Sequence, residues 1–169
     1  MQSADRIAPT VRPMHPDDRA AVIALLAASD PWKRLSYPVD FWDRMFAPLP
    51  QGRDSLVLAT DGQIAGIAVL RPRFLVGDYL ELLAISPPLT GQGLGALLLS
   101  HLEALVFARA NNLFACVSDF NTGARQFYRR HGFQEVGPLP NLLVRGSTEI
   151  LLRKTTGALR EVTPAFPIP

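Results

Sequence analysis

The 169-residue chain is long enough for one domain with a proper core and short for two. Hydrophobic residues make up 48% and charged residues 19%, the balance of a soluble globular protein rather than a disordered or fibrous one. A net charge of +2 spread along the chain leaves no footprint for nucleic acid, the single Cys116 excludes an internal disulfide, and three scattered histidines offer no metal-ligand spacing.

The opening MQSADRIAPT lacks a basic start followed by an apolar run, so no secretory signal is expected. The lone cysteine fits a reducing cytoplasm. After a loose start of eight residues, Thr10 to Met14 read as a short strand. A helix follows, with Pro16 in its first turn and Ala20, Ile23, Leu25 and Leu26 as its apolar stripe. Ser29 to Pro38 are irregular, and Val39 to Phe46 form a second short helix. Two strands around Asp61-Gly62 make a hairpin, and Gly77 to Tyr79 make a second turn. Leu80 to Ser86 alternate little, as a strand covered on both faces does.

Leu94 to Arg109 read as a long helix with Leu94, Leu97, Leu98, Leu102, Leu105 and Val106 on one face, ended by Asn111-Asn112. Ser100, His101 and Glu103 interrupt its apolar run, which is too short and too polar to span a bilayer. Leu113 to Ser118 form a strand. Asn121 to Gly132 form a short helix with an asparagine cap and a closing glycine. Two strands, FQEVG and TEILLRK, precede a proline-containing tail. Antiparallel hairpins followed by a strand–helix–strand crossover predict an α/β (α+β) mixed sheet with helices on both faces.

Glycines at 91, 93 and 95 open the long helix. A nucleotide P-loop needs Lys-Ser/Thr after its glycines, and Ala96-Leu97 stand there instead. Gly91-x-Gly93-x-x-Ala96 fits a permissive dinucleotide pattern. However, Pro87 to Thr90 separate it from the strand, and too little chain follows for further βα units. A third reading is a diphosphate cradle, in which bare N–H groups and the positive end of a helix converge on an anion. Tight strand–helix packing without a ligand is the bland alternative.

The segment N121-T-G-A-R-Q-F-Y128-R-R-H-G-F133, taken with LLAISPPLTGQGLGALLL, resembles the GNAT N-acetyltransferase superfamily. Its members move an acetyl group from acetyl-CoA to an amine. The match runs from about Leu56 to Lys154, with Leu80–Leu99 and Asn121–Phe133 as its specific parts. The resemblance implies a mixed, mostly antiparallel sheet of six to seven strands flanked by about four helices. Its fourth and fifth strands are splayed. Residues 1–154 would form one domain and residues 155–169 the tail. It departs at Thr90, where the family usually carries Arg or Gln. The threonine hydroxyl, Gln92 and the backbone are left as phosphate donors.

By the same resemblance, the coenzyme contacts are Leu83, Ala84 and Ile85 for pantetheine, and Thr90, Gly91, Gln92, Gly93, Leu94, Gly95 and Ala96 for the diphosphate. Asn121 would hydrogen-bond the pantetheine arm, with Ala124, Phe127 and Tyr128 around it. A backbone N–H on the first of these strands would polarise the thioester carbonyl. Tyr128 holds the general-acid position, the alternative being a core tyrosine with a backbone partner. Glu81, a carboxylate in an apolar strand, reads either as the general base that takes the amine's proton or as a structural partner of an arginine. Cys116, mid-strand with no activating histidine, reads as an inert thiol. Trp32 and Tyr37, with Glu81, are candidate acceptor contacts. Trp42, Asp30, Asp40, Asp43, the Arg71-Pro72-Arg73 stretch and a covering loop from Pro138 to Ser147 are further candidates. The expected partners are acetyl-CoA and a small or peptide amine, with no metal, nucleic acid or membrane, and a homodimer by analogy. A non-catalytic acyl-CoA-binding module on the same fold is the alternative.

Overall fold

The hairpin, crossover and cap signals become seven strands and four α-helices in the structure, a computed structural model that describes residues 8–48 and 52–159. In chain order these are β1 (Thr10–Pro13), α1 (Arg19–Ala28), α2 (Val39–Met45), β2 (Asp54–Thr60), β3 (Gln63–Phe74), β4 (Gly77–Ile85), α3 (Leu94–Phe107), β5 (Asn112–Ser118), α4 (Thr122–Arg130), β6 (Gln134–Pro140) and β7 (Thr148–Thr155). Residues 1–7 of the expected loose start and 160–169 of the expected tail lie outside the described residues. No helix among the described residues is long and apolar enough to cross a membrane.

The strands form one sheet in the order β1-β2-β3-β4-β5-β7-β6, antiparallel throughout except for the parallel pair β4 and β5. The alternation of side chains across a strand divides the core into two. Leu58, Ala68, Leu70, Leu113 and Leu152 pack under α3 and α4. Val57, Ile67 and Val69 pack on the other face under α1 and α2, with Leu26, Trp42 and Phe46.

β4 does not keep one phase. Val69 pairs with Leu82 but Leu70 pairs with Leu80, so Glu81 is the extra residue of a β-bulge. Before it, Leu80 belongs to the α3 side. After it, Leu82 and Ala84 belong to the α1–α2 side, while Leu83 and Ile85 turn toward α3. Pairing with β5 stops at the same place: Asp78, Tyr79 and Leu80 are matched to Leu113, Phe114 and Ala115, and nothing beyond is matched. The bulge bends β4 away from β5 and opens a wedge between their C-terminal halves.

The opposite end of the wedge is pinned shut. Asn112 is a buried first residue of β5 rather than a helix terminator; its Nδ2 donates to the Val76 carbonyl at 2.8 Å and its Oδ1 accepts from Arg153 at 2.8 Å. Buried Asp78 accepts from Arg109 Nε at 2.8 Å, tying the far end of α3 to β4. The turn expected at Gly77–Tyr79 lies instead at Leu75–Val76, and Gly77 already belongs to β4. Gly77 serves close approach: a Cβ there would meet the Asn112 carbonyl oxygen at 2.2 Å. Gly77→Ala is therefore expected to cost about 1–3 kcal/mol, the usual range for overpacking, read as a lower urea midpoint.

Three other boundaries differ from expectation. Leu97 and Leu105 are exposed, and Leu99 takes their place on the buried face of α3. β3 runs on through Pro72 to Phe74, and β6 runs on to Pro140, which trims the β6–β7 connection to residues 141–147.

Candidate active site

Three cavities meet along the wedge. One lies between the start of α3 and α4, one fills the gap between β4 and β5, and one opens on the α1–α2 face. Leu83, Ile85, Thr90, Ala124 and Tyr128 line both the first and the second. Trp32, Tyr37, Tyr79, Glu81, Cys116 and Leu143 line both the second and the third. A ligand can thus pass from one side of the sheet to the other through the gap.

The first cavity ends on the glycine loop. Gly91 and Gly93 have φ of 77° and 81°, and a Cβ at either would meet nothing within 4 Å. Left-handed backbone selects glycine there, and the space above it is open. Among the described residues, the N–H groups of Gly91, Gln92, Gly93, Leu94, Gly95 and Ala96 find no acceptor, and no side chain caps α3. Unpaired donors in succession at the positive end of a 14-residue helix form an anion cradle. The expected side-chain help is spent locally. Thr90 Oγ1 donates to the Pro87 carbonyl at 2.9 Å, and Gln92 Nε2 is 3.4 Å from that of Pro88. Neither Gln92 nor Leu94 lines the cavity, so their contribution is main-chain only. Gly95 packs its bare Cα between Phe127 and Ile85.

In the gap, the edge of β4 that faces β5 has no strand partner after Leu80, which leaves the main chain of Leu83 to Ile85 open to a ligand. Ala84 and Asn121 line this part. Asn121 caps α4 with its Oδ1, which accepts from Ala124 N at 3.1 Å, and its Nδ2 has no partner among the described residues. Tyr128 is buried at 7% exposure, its ring edge-on to Phe127 and Phe133. Its hydroxyl makes no hydrogen bond among the described residues, so the backbone partner of a core tyrosine is missing. Burial pushes its pKa well above the ordinary phenol value, with Cys116 adding to the rise, and the group stays a proton donor at neutral pH.

Glu81 lines both the gap and the cavity on the α1–α2 face. Arg53 Nε donates to its Oε2 at 2.5 Å, Arg53 Nη2 to its Oε1 at 3.1 Å, and Arg71 Nη2 to the same Oε1 at 2.6 Å. This is the ion-pair alternative for Glu81. Three of a carboxylate's roughly four acceptor positions are filled by guanidinium donors, leaving little of it for an amine's proton. Cys116 is half-buried and faces the cavities rather than the core. Burial raises its pKa, so it is a thiol and not a nucleophilic thiolate.

Trp32 and Tyr37 line the cavity on the α1–α2 face, beside Phe41 and Leu143. Trp42 contributes to the same wall but is almost wholly core, at 1% exposure. Asp40 and Asp43 do not face the cavities: Asp40 pairs with Arg44 one turn on at 2.6 Å, and Asp43 with Arg19 of α1 at 2.8 Å. Sequence reasoning passed over Glu149. It is buried at 2% exposure in β7, accepts from Ser118 Oγ at 2.9 Å, and lines the gap. The signal was available, since Glu149 is a single acid ahead of the apolar run ILL, just as Glu81 is in its strand. Among the described residues, no group of three or more His, Cys, Asp or Glu is placed to hold a metal ion.

Residues 19–133 match the model of the acetyltransferase (GNAT) family. The chain belongs to the GNAT acetyltransferase family. It is 36% identical over 63 residues to the peptidyl-lysine N-acetyltransferase YjaB of Salmonella typhimurium, a stretch that spans 37% of this chain and 41% of that relative. The fold matches the ribosomal-protein-S18-alanine N-acetyltransferase of Escherichia coli with a TM-score of 0.75 at 20% identity, over 92% of this chain and 99% of that one. It also matches an aminoglycoside 6'-N-acetyltransferase complexed with coenzyme A, with a TM-score of 0.70 at 17% identity, over 90% and 99% of the two chains. The GNAT sheet with its fourth and fifth strands parallel and diverging is therefore present here as the motifs implied.

Proposed function

We propose that this GNAT protein is an acetyl-CoA-dependent N-acetyltransferase whose acceptor is a primary amine, attacked directly within a ternary complex. The observation that carries the reading is the unpaired N–H run from Gly91 to Ala96, which shares a cavity with Tyr128. The named acceptors of the relatives are a peptidyl lysine, the alanine of a ribosomal protein and an aminoglycoside, all of which present an amine.

Bound acetyl-CoA supplies an acetyl thioester, a carbonyl carbon open to a nitrogen with a thiolate as leaving group. The chain's own residues do the rest. The N–H run grips the diphosphate. Asn121 Nδ2 and the open edge of β4 hold the pantetheine arm, with Ala124 and Phe127 as its wall. A β4 N–H polarises the carbonyl oxygen. Tyr128 gives its phenolic proton to the departing sulfur, and the proton that nitrogen sheds on becoming an amide restores the phenol. Glu81 fixes Arg53 and Arg71 at the acceptor mouth, where Trp32 and Tyr37 receive the acceptor's stem.

The test is thiol release from acetyl-CoA across a panel of primary amines: a lysine peptide, a peptide α-amine, phenethylamine and an aminoglycoside. Turnover with at least one is expected. Tight acetyl-CoA binding with no release from any would mark a binding module instead. The loop of residues 141–147 brings Leu142 and Leu143 to the acceptor cavity. Shortening it is expected to change the ranking of amines while leaving calorimetric acetyl-CoA affinity in place. Equal loss of both would remove the loop from acceptor selection.

A further inference from the structure

The wedge holds two carboxylates with opposite surroundings. Glu81 is neutralised by two guanidiniums. Glu149 has no lysine, arginine or histidine partner among the described residues. It is nevertheless the more deeply buried, and the Ser118 hydroxyl is its hydrogen-bond donor. A buried carboxylate without a counter-charge is costly to the fold and calls for a cation from outside.

Its position suits one. In β5 and β7, Ser118 is opposite Glu149 and Cys116 opposite Leu151, and all four belong to the sheet face away from the Leu113–Ala115–Val117 core. Tyr128 belongs to the α3–α4 core on the other face. Both Glu149 and Tyr128 line the gap between β4 and β5, so the two groups flank it from opposite sides of the sheet. An alkyl amine arrives at neutral pH as an ammonium and must lose a proton before its nitrogen can attack.

We infer that Glu149 is the general base of this site: its carboxylate receives the acceptor's ammonium and takes one proton from it. This rests on the acetyltransferase reading above. In the step, one N–H bond of the ammonium breaks and one O–H bond forms on Glu149. The electron pair stays on nitrogen, which becomes the neutral nucleophile. Glu149 later returns the proton to solvent, which accounts for the one proton that acetylation of an ammonium releases.

The groups around Glu149 agree with this assignment. Ser118, Asp119 and Cys116 come from the β5 side, Tyr79 and Glu81 from β4, Tyr37 and Asp30 from the segment between α1 and α2, and Tyr128 from α4. None is a cation. Burial pushes the Glu149 carboxyl above its ordinary value, Asp119 pushes it further, and the Ser118 hydrogen bond partly offsets both. That moves it toward neutrality, where a base works best. Because the folded-state value is raised, the group favours the folded state at low pH and loses that contribution as pH rises through the folded value. Replacing it with an uncharged isostere relieves this cost.

The test compares wild type with Glu149→Gln, using phenethylamine and hydroxylamine as acceptors. Hydroxylamine is already neutral at pH 7 and needs no base. With phenethylamine the variant is expected to lose about 10²–10⁴-fold in kcat/KM at pH 7, the deficit narrowing as pH rises and free amine accumulates. With hydroxylamine it should stay close to wild type. Calorimetric acetyl-CoA affinity should be unchanged, and the thermal midpoint at pH 7–8 no lower than wild type. Equal losses on both acceptors, an unmoved acid limb of the pH profile, or lost acetyl-CoA binding would each overturn the assignment. Wild type and variant turning over alike would remove Glu149 alone and leave the acetyltransferase reading standing. Wild type that binds acetyl-CoA but releases no thiol with these acceptors or any amine of the panel would remove both.

Discussion

Replacing Tyr128 by phenylalanine is expected to lower kcat by about 10²–10⁴-fold while acetyl-CoA binding is retained. The change removes one oxygen and little else. The ring keeps its edge contacts with Phe127 and Phe133, at centroid distances of 5.4 and 5.1 Å. The hydroxyl has no partner among the described residues, so its loss orphans no donor or acceptor, and the thermal midpoint should hold or rise. Steady-state kinetics beside calorimetry and thermal unfolding separate the outcomes. A variant that loses stability and coenzyme affinity along with rate would return Tyr128 to the role of a packing residue. A variant with full rate would assign the sulfur's proton to another donor. Because burial holds the phenol protonated, titration of Tyr128 contributes no limb to the pH–rate profile near neutrality.

Gly93→Asp is expected to act on coenzyme binding rather than on folding. Gly93 is the N-cap of α3, with φ of 81° and open space where a Cβ would stand. Aspartate tolerates this backbone region better than most residues and is a favoured cap, so the helix survives at a cost of about 1–2 kcal/mol or less. Its carboxylate then competes for the same N–H groups that the diphosphate needs. Losing one or two charge-assisted hydrogen bonds, each worth about 1.5–3 kcal/mol, raises the acetyl-CoA dissociation constant by at least about 10–100-fold. Acetyl-pantetheine lacks the diphosphate and supplies the control: its binding should be untouched. A loss shared by both ligands would locate the damage in the gap, not in the cradle.

Features legible in the sequence were those that a few neighbouring residues decide. Asp61-Gly62 turns the hairpin because both residues accept left-handed backbone, at φ of 50° and 74°. Asn121 caps α4 because its side chain reaches an N–H three residues ahead. The N–H groups at the start of α3 stay unpaired because glycines and a helix start stand side by side. Features set by distant strands were not legible. Gly77 looks like a turn former, yet what selects it is the backbone of Asn112, brought alongside by the crossover. Asp40 and Asp43 look like ammonium ligands, yet Arg44 and Arg19 occupy them. Nothing local marks Glu81 as the bulge, and nothing local marks Glu149 as the acid left without an arginine.

One bulged residue sets which face of the sheet each later residue of the fourth strand meets. If Glu81 took an ordinary place in the pleat instead of bulging, the alternation of the fourth strand would run on unbroken. Leu83 and Ile85 would then swap sides with Leu82 and Ala84. The strand would also stay zipped to its parallel neighbour, sealing the passage through the sheet. The doorway between the cavities on the two faces of the sheet is thus a frameshift in pleating, installed by a single amino acid.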